Sequence, residues 1–446
     1  MHTSIKKRAI ARIRKTLPAI TAPEISIFLK GSMWLLAGNF LSKAIMLAAS
    51  VWIARHLGKE SYGEYALLQN TLNMFSEMGG LGGGLALTRL IALRKNRNNN
   101  DCGQVITLNI YITGITSLIL ATLFAVCPRY IANQLGNPNL SDITFLLGLN
   151  IVPSAFIGLM IGALSGLERF RTIAKASIIQ SFAFSLFQAI GAQSGTLKGV
   201  VLGALCSSVL MLAYYYLEVK SALVADSIEL QWKNAWKEWK TLLENNLPMF
   251  SSAFMVVPIT WYANLLLTQQ PSGFQELAAF NAANQIKLVL LFAPTTLASV
   301  LLPAIVRLNS SNKGGDKMML KANLALNAGL VGTLGLALWP LAGFILSFYG
   351  HTFIENTSVL RCNLILAFIT AINMVLGTAI TGKGRIWLGL GLNTTWATCF
   401  LLSAHLLVPR YLSLGLAISY LFAITIQAIL QYLIVYLYAK EIPSKS

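Results

Sequence analysis

Long apolar stretches separated by short polar breaks dominate the pattern along the chain. They run at roughly 31–54, 62–91, 104–127, 143–165, 173–193 and 196–217, then at 246–269, 277–303, 320–348, 357–380, 386–408 and 413–438. Each offers the ~20 residues that a helix needs to cross ~30 Å of hydrocarbon. The pattern predicts an all-α polytopic membrane protein of about twelve transmembrane helices around a central cavity. A more hydrophilic interval at 218–245 divides the spans into two sets of six. The expected organisation is a tail over 1–30, a bundle over 31–217, a linker over 218–245, a second bundle over 246–438 and a short tail over 439–446.

The linker has its own pattern. Trp232, Trp236 and Trp239 fall at i, i+4 and i+7, with Lys233, Lys237 and Lys240 on the adjacent face. This spacing predicts a helix lying in the membrane interface, its indoles in the headgroup layer and its ammoniums toward the phosphates of anionic lipids.

Two pairs of segments suggest an internal duplication. Tyr62-Gly63-Glu64-Tyr65-Ala66 opens the second span and Phe274-Gln275-Glu276-Leu277-Ala278 opens the eighth. Ser165-Gly166-Leu167-Glu168-Arg169 follows the fourth span and Thr381-Gly382-Lys383-Gly384-Arg385 follows the tenth. Six spans is an even number, so both halves enter the membrane in the same orientation and the repeat axis runs along the membrane normal.

Composition agrees with this picture and charge adds an orientation. The chain is 55% hydrophobic and 11% charged, with a net charge of +18. A soluble domain carries about 25% charged residues. With the N-terminus placed in the cytoplasm and the loops alternating, 26 of the 34 basic residues fall on the cytoplasmic side and six on the other, while Lys43 and Lys287 remain inside spans. That asymmetry predicts an even number of spans and two cytoplasmic termini. Because the cations lie in short segments between apolar runs, a nucleic-acid partner is not expected. Pro18 and Pro23 interrupt the basic N-terminal segment, which does not read as a signal peptide. The five cysteines are scattered without metal-ligand or disulfide spacing, so no metal is expected.

The candidate chemistry consists of polar residues inside apolar spans. A lysine at the centre of a membrane helix costs about 2.5–3.5 kcal/mol on insertion scales. Lys43 lies in the first span, one turn after Asn39. Lys287 lies in the eighth, with Asn284 and Asn281 before it. One reading has both lysines holding an anionic headgroup such as a diphosphate. The other has them snorkelling or paired with structural carboxylates. Asn70, Asn73 and Glu77 share a face of the second span: Glu77 is either a proton or cation relay or a counter-charge for Lys43. Arg89, at the end of that span, is a candidate cytoplasmic gate or headgroup contact. The run Gly79-Gly80-Leu81-Gly82-Gly83-Gly84 marks a hinge or a close helix contact.

The segment Arg55-His56-Leu57-Gly58-Lys59-Glu60-Ser61-Tyr62-Gly63-Glu64-Tyr65 resembles the R-x-L-G-x-x-x-Y/F-G-x-Y signature that follows the first helix in the polysaccharide transporter branch of the multidrug/oligosaccharidyl-lipid/polysaccharide flippase superfamily. Gly79 to Arg89 and Gly166-Leu167-Glu168-Arg169 are similar to shorter family motifs. The resemblance covers the chain from about residue 31. It implies a bacterial inner-membrane flippase that carries an undecaprenyl-diphosphate-linked oligosaccharide (an O-antigen, capsule or exopolysaccharide repeat unit) to the periplasmic leaflet by alternating access. It also implies glycan polymerases or glycosyltransferases as partners, and no cofactor beyond proton or sodium coupling. Related lipid II flippases carry cations in their first and eighth helices, the helices of Lys43 and Lys287. The alternatives are an ion-coupled multidrug exporter of the same superfamily and a membrane glycan polymerase or ligase. An enzyme of that kind needs a catalytic constellation, and His56, His351 and His405 form none evident in the sequence.

The charge pattern makes one prediction that needs no substrate. A green fluorescent protein fused after Ser446 should fluoresce, and a periplasmic phosphatase fused there should be inactive; the reverse result would refute an even number of spans.

Overall fold

The computed structural model describes residues 22–80, 83–94, 99–232, 235–292, 294–295, 315–382 and 386–437. The basic tail up to residue 21 and the segments over 383–385 and 438–446 lie outside them. Helices α1 (22–57) and α2 (59–80) are separated by Gly58, whose φ of 79° and ψ of 169° leave the helical region. A positive φ is costly for a residue bearing a Cβ, and glycine adopts it freely. Then come α3 (Gly83–Arg94), α4 (Asn99–Val126), short α5 (Pro128–Gln134), α6 (Ser141–Gly166), α7 (Phe170–Ala192) and α8 (Leu197–Ala225). The second half holds α9 (Trp239–Thr268), α10 (Gly273–Leu290), α11 (Gly315–Leu338), short α12 (Ala342–Ser347) and α13 (Thr357–Gly382). Finally α14 (386–411) and α15 (413–437) meet at a break at Leu412.

Among the described residues, seven stretches are long and apolar enough to cross a bilayer. Two of these, Phe40–Gly80 and Trp387–Tyr436, each contain a break and so contribute two helices. The shorter apolar stretches Met255–Thr268 of α9 and Asn323–Leu338 of α11 bring the count to eleven, and α10 takes the place of the eighth predicted span. Their outward faces are apolar: Leu118, Val126, Leu336 and Leu406 are all well exposed, which is stable only where lipid is the solvent.

Packing joins the halves on one side. The largest hydrophobic cluster draws on both: Tyr62, Leu67 and Phe124 from the first and Leu277, Tyr349, Phe353 and Leu416 from the second. It lies on the side of the Gly58 turn. Toward the opposite side each half has a separate core, around Leu87, Ile157 and Tyr215 in the first and around Leu376, Leu392 and Val435 in the second. Two similar bonds mark the duplication. Asn137, beyond α5, donates to Glu64 on α2 at 2.7 Å, and Asn356, beyond α12, donates to Glu276 on α10 at 3.5 Å.

The linker does not form the single helix expected over 218–245. Helix α8 ends at Ala225, a turn follows, Ala235–Glu238 forms a 3-10 turn, and α9 begins at Trp239. The stop is local: Ser227 adopts a left-handed φ of 53° while Ile228 N–H donates to the Leu223 carbonyl, closing the helix end. Asp226 is held by Arg169 at 2.7 Å. The three indoles remain exposed, and those of Trp232 and Trp236 flank Tyr111 with ring centroids 5.6 and 6.3 Å away.

The glycine run after Gly79 takes part in close contacts. Thr116 of α4 donates to the Gly79 carbonyl at 2.5 Å, and a Cβ on Gly162 of α6 would collide with the Gly84 backbone. Gly162→Val should therefore destabilise the first half by about 1–3 kcal/mol through overpacking, which thermal unfolding of the purified protein would register as a lower midpoint.

Candidate functional site

The polar residues of the site fall into a seam joining the halves and a pair of lysines deeper in the membrane. The seam is built around the hydroxyl of Tyr62, a fully buried residue on α2. Ser50 Oγ of α1 lies 2.5 Å from it and 3.2 Å from the Tyr349 hydroxyl. Asn281 Nδ2 of α10 donates to the Tyr62 oxygen at 3.1 Å. Further along, Arg55 Nε donates to the Phe348 carbonyl at 2.6 Å. Lys59 Nζ donates to the Thr352 carbonyl and to Asn356 Oδ1, both at 2.8 Å. Trp261 Nε1 of α9 adds a bond to Thr71 of α2 at 2.9 Å. Backbone approaches backbone at Gly63, where any Cβ would collide with the Phe274 carbonyl. A shallow depression of about 500 Å³ lies over this side, lined by Lys59, Glu60 and Ser61 from one half and Gln275, Thr352 and Glu355 from the other.

The lysines sit in unlike surroundings. Lys43 is half-buried on α1. Three residues before it and on the same side of the helix, Phe40 meets Phe292, just beyond α10, with centroids 5.1 Å apart. Lys43 therefore lies on the side of α1 that approaches the second half. Lys287 is buried within the second half, its Nζ 4.8 Å from the centroid of Tyr420 on α15. Among the described residues no carboxylate lies within ion-pairing distance of either lysine. Neither lysine thus has a structural carboxylate among the described residues, and Glu77 does not pair with Lys43.

The remaining sequence candidates disperse. Asn73 and Glu77 are exposed on one side of α2, and Gln69 donates to Asn73 at 3.4 Å. Asn284 is half-buried, and Asn281 belongs to the seam. Arg89 is exposed on α3, next to Thr88, which bonds the Gly84 and Gly162 carbonyls. The side chain of Asn39 is outside the described residues. Sequence reasoning missed Ser50, Tyr62, Trp261 and Tyr349 as bonding partners. It also missed a polar ladder in the second half, in which Asn373 donates to Gln427 and Gln427 donates to Asn393, each at 2.9 Å. Glutamine and asparagine within apolar spans are the signal that would have found the ladder.

Two helical halves joined along one side, with polar groups between and within them, define a two-lobed all-helical membrane fold. Solved structures share it. An inward-facing multidrug resistance MATE family transporter of the MOP superfamily matches 92% of this chain and all of its own with a TM-score of 0.74 at 14% identity. The lipid II flippase MurJ in an inward closed conformation matches 91% of this chain and 87% of its own with a TM-score of 0.73 at 13% identity. The particular family is given by the sequence: a family model described as polysaccharide biosynthesis protein matches residues 28–309, and the chain belongs to that family. A curated relative, the EPS I polysaccharide export inner membrane protein EpsE of Ralstonia solanacearum, is 24% identical over 192 residues, 42% of this chain and 44% of EpsE. The match thus spans less than half the length of that relative.

Removing the Tyr62 hydroxyl should loosen the seam. Tyr62→Phe leaves Asn281 without its buried partner and Ser50 with Tyr349 alone, at about 1–3 kcal/mol. Spin labels at Glu60 and Glu355, across the depression, should show a longer and broader distance distribution in this variant than in the otherwise unchanged protein.

Proposed function

We propose that the chain is a flippase moving a polyprenyl-diphosphate-linked oligosaccharide from the cytoplasmic to the periplasmic leaflet of a bacterial inner membrane. The observation that carries this reading is Lys43: a half-buried ammonium inside the membrane, without a described carboxylate, on the side of α1 that meets the second half. A diphosphate supplies the missing negative charge, and attraction strengthens where water is scarce. Family membership and the likeness to polysaccharide export and lipid II flippase proteins support a lipid-linked glycan as the substrate. Under the positive-inside rule the Gly58 side is periplasmic, so the Tyr62 seam closes the periplasmic exit and alternating access opens it.

The other polar positions take supporting roles. Asn73 and Glu77, exposed on one side of a membrane helix, line the aqueous path, since polar side chains facing lipid would be costly. Asn39 and Asn284 offer hydrogen bonds to sugar or phosphate, and Arg89 meets the headgroup at the cytoplasmic entrance. Glu77 is the carboxylate available for proton or sodium coupling. Both lysines remain headgroup candidates; Lys287 would first have to leave Tyr420, which favours Lys43. Polymerases or glycosyltransferases acting on the same glycan are the expected partners, with the bond-making chemistry left to them.

The test is reconstitution into proteoliposomes with a fluorescent undecaprenyl-diphosphate oligosaccharide, following access of an external reagent to the label. The unaltered protein should flip it, and Lys43→Ala should slow flipping at least tenfold while inserting normally. Export of organic cations with the lipid left unmoved would instead establish a multidrug exporter and overturn the proposal.

A further inference from the structure

Lys59 belongs to the first half, yet the groups that hold its ammonium belong to the second. Its Nζ donates to the Thr352 carbonyl and to Asn356 Oδ1, both at 2.8 Å, and lies 5.5 Å from the centroid of the Phe353 ring. These three residues come from one 3-10 turn, His351–Asn356. The carboxylates of Glu355, from the same turn, and of Glu276 on α10 face the same ammonium. Two oxygens, an aromatic face and two carboxylates thus converge on one nitrogen. The second half builds this socket without help from the first. Asn356 Nδ2 donates to Glu276 and to Ser413 Oγ, both at 3.5 Å, which turns Oδ1 toward the ammonium. Glu276 in turn accepts from the Ser413 N–H at 3.2 Å and from the Ser413 hydroxyl. Phe353 is buried, and its N–H donates to the Gly350 carbonyl at 3.1 Å.

A primary ammonium brings three N–H donors and no acceptor. The socket meets it with two carbonyl oxygens, a π face that attracts cations and negative charge that strengthens each bond. A quaternary ammonium has no donor to give those oxygens. The depression of about 500 Å³ reaches the socket, with Lys59, Thr352 and Glu355 in its lining, so a small solute has access from the Gly58 side. Opening the seam withdraws Lys59 with the first half and leaves the socket whole on the second. We propose that this socket is a binding site for a primary ammonium, filled by Lys59 when the halves are joined and by a small amine from solution when they part. A ligand that binds only the parted form shifts the equilibrium toward it. Small amines therefore compete with closure. The proposal relies on the seam opening, as the flippase reading has it, and not on which substrate is carried.

The test uses the full chain in nanodiscs, with propylammonium chloride replacing sodium chloride at constant ionic strength. Lys59→Ala deletes the side chain from Cγ to Nζ, the size of propylammonium, so the amine should raise its thermal unfolding midpoint saturably. Tetramethylammonium should leave that midpoint unchanged. Lys59→Met, which fills the space without the charge, should respond to neither. Adding Glu355→Gln to Lys59→Ala should weaken the apparent affinity for propylammonium roughly tenfold. In the unaltered protein the amine must displace Lys59. Spin labels at Gln134 and Gln269, exposed on opposite halves, should then show a broader distance distribution with propylammonium than without it. Neither readout involves glycan lipid, so failure here and failure of flipping are separate results. Either a Lys59→Ala midpoint that propylammonium raises no more than tetramethylammonium does, or an unaltered protein whose distances ignore the amine, would overturn the proposal.

Discussion

A hydroxyl buried in a membrane protein must find its partners within the protein, because neither water nor lipid can supply them. The Tyr62 hydroxyl finds one partner, Ser50, in its own half and another, Asn281, across the boundary between the halves, and the arrangement of the Gly58 side follows from that. Gly58 turns the chain so that Ser50 and Tyr62 meet, and Gly63 lets α2 come close enough to α10 for Asn281 to reach the same oxygen. Arg55 and Lys59 use main-chain carbonyls of the other half, which tolerate small shifts better than paired side chains do. At about 0.5–1.5 kcal/mol net per hydrogen bond, the six described bonds across the boundary amount to about 3–9 kcal/mol. Inverting a two-state equilibrium from 1:99 to 99:1 takes about 5.5 kcal/mol. The bonding is therefore strong enough to define a closed side and weak enough for differential binding of a ligand to open it.

The duplication has been retained in one place and reused in another. Both halves hold a glutamate near the start of a span against an asparagine in the connection that follows the next long helix: Glu64 with Asn137 and Glu276 with Asn356. In the first pair Asn137 also accepts from the Asn139 N–H at 3.0 Å, a bond within its own connection. In the second, Glu276 also accepts from Ser413 and Asn356 accepts from Lys59 of the opposite half. A bracket that steadies one bundle has thus become, in its second copy, part of the junction between bundles. A membrane-embedded repeat can acquire such a link with a single cation, since the acceptor is already positioned.

The sequence made the spans legible because the bilayer sets their length, and it left a break between the first two spans within which Gly58 turns the chain. It could not show the seam. Lys59 and Thr352 are separated by 293 positions, and Ser50 and Tyr349 by 299; serine and tyrosine among apolar residues carry no mark of what they touch. The tryptophan spacing in the linker was compatible with a helix, yet it is the left-handed Ser227 that decides where α8 stops, and serine is not a strong stop signal. For the lysines, depth was readable and direction was not. A helical face can be counted from sequence, but which neighbour it meets depends on the packing of helices far apart in the chain.

Direction is what separates the two lysines. Helices α1 and α10 run antiparallel and touch through Phe40 and Phe292. Lys43 lies about 4.5 Å along α1 from that contact and Lys287 about 7.5 Å along α10, at 1.5 Å rise per residue. The two ammoniums therefore sit within about 3 Å of the same depth, and depth alone would give them one role. Their burial gives them two. A half-exposed ammonium keeps part of its hydration, so a ligand that replaces the remaining water gains contact without first having to open the protein. A fully enclosed one has already lost that water and needs a lasting counterpart, here the face of Tyr420. The same residue type at the same level of the membrane can thus serve an exchanging ligand in one half and hold the other half together.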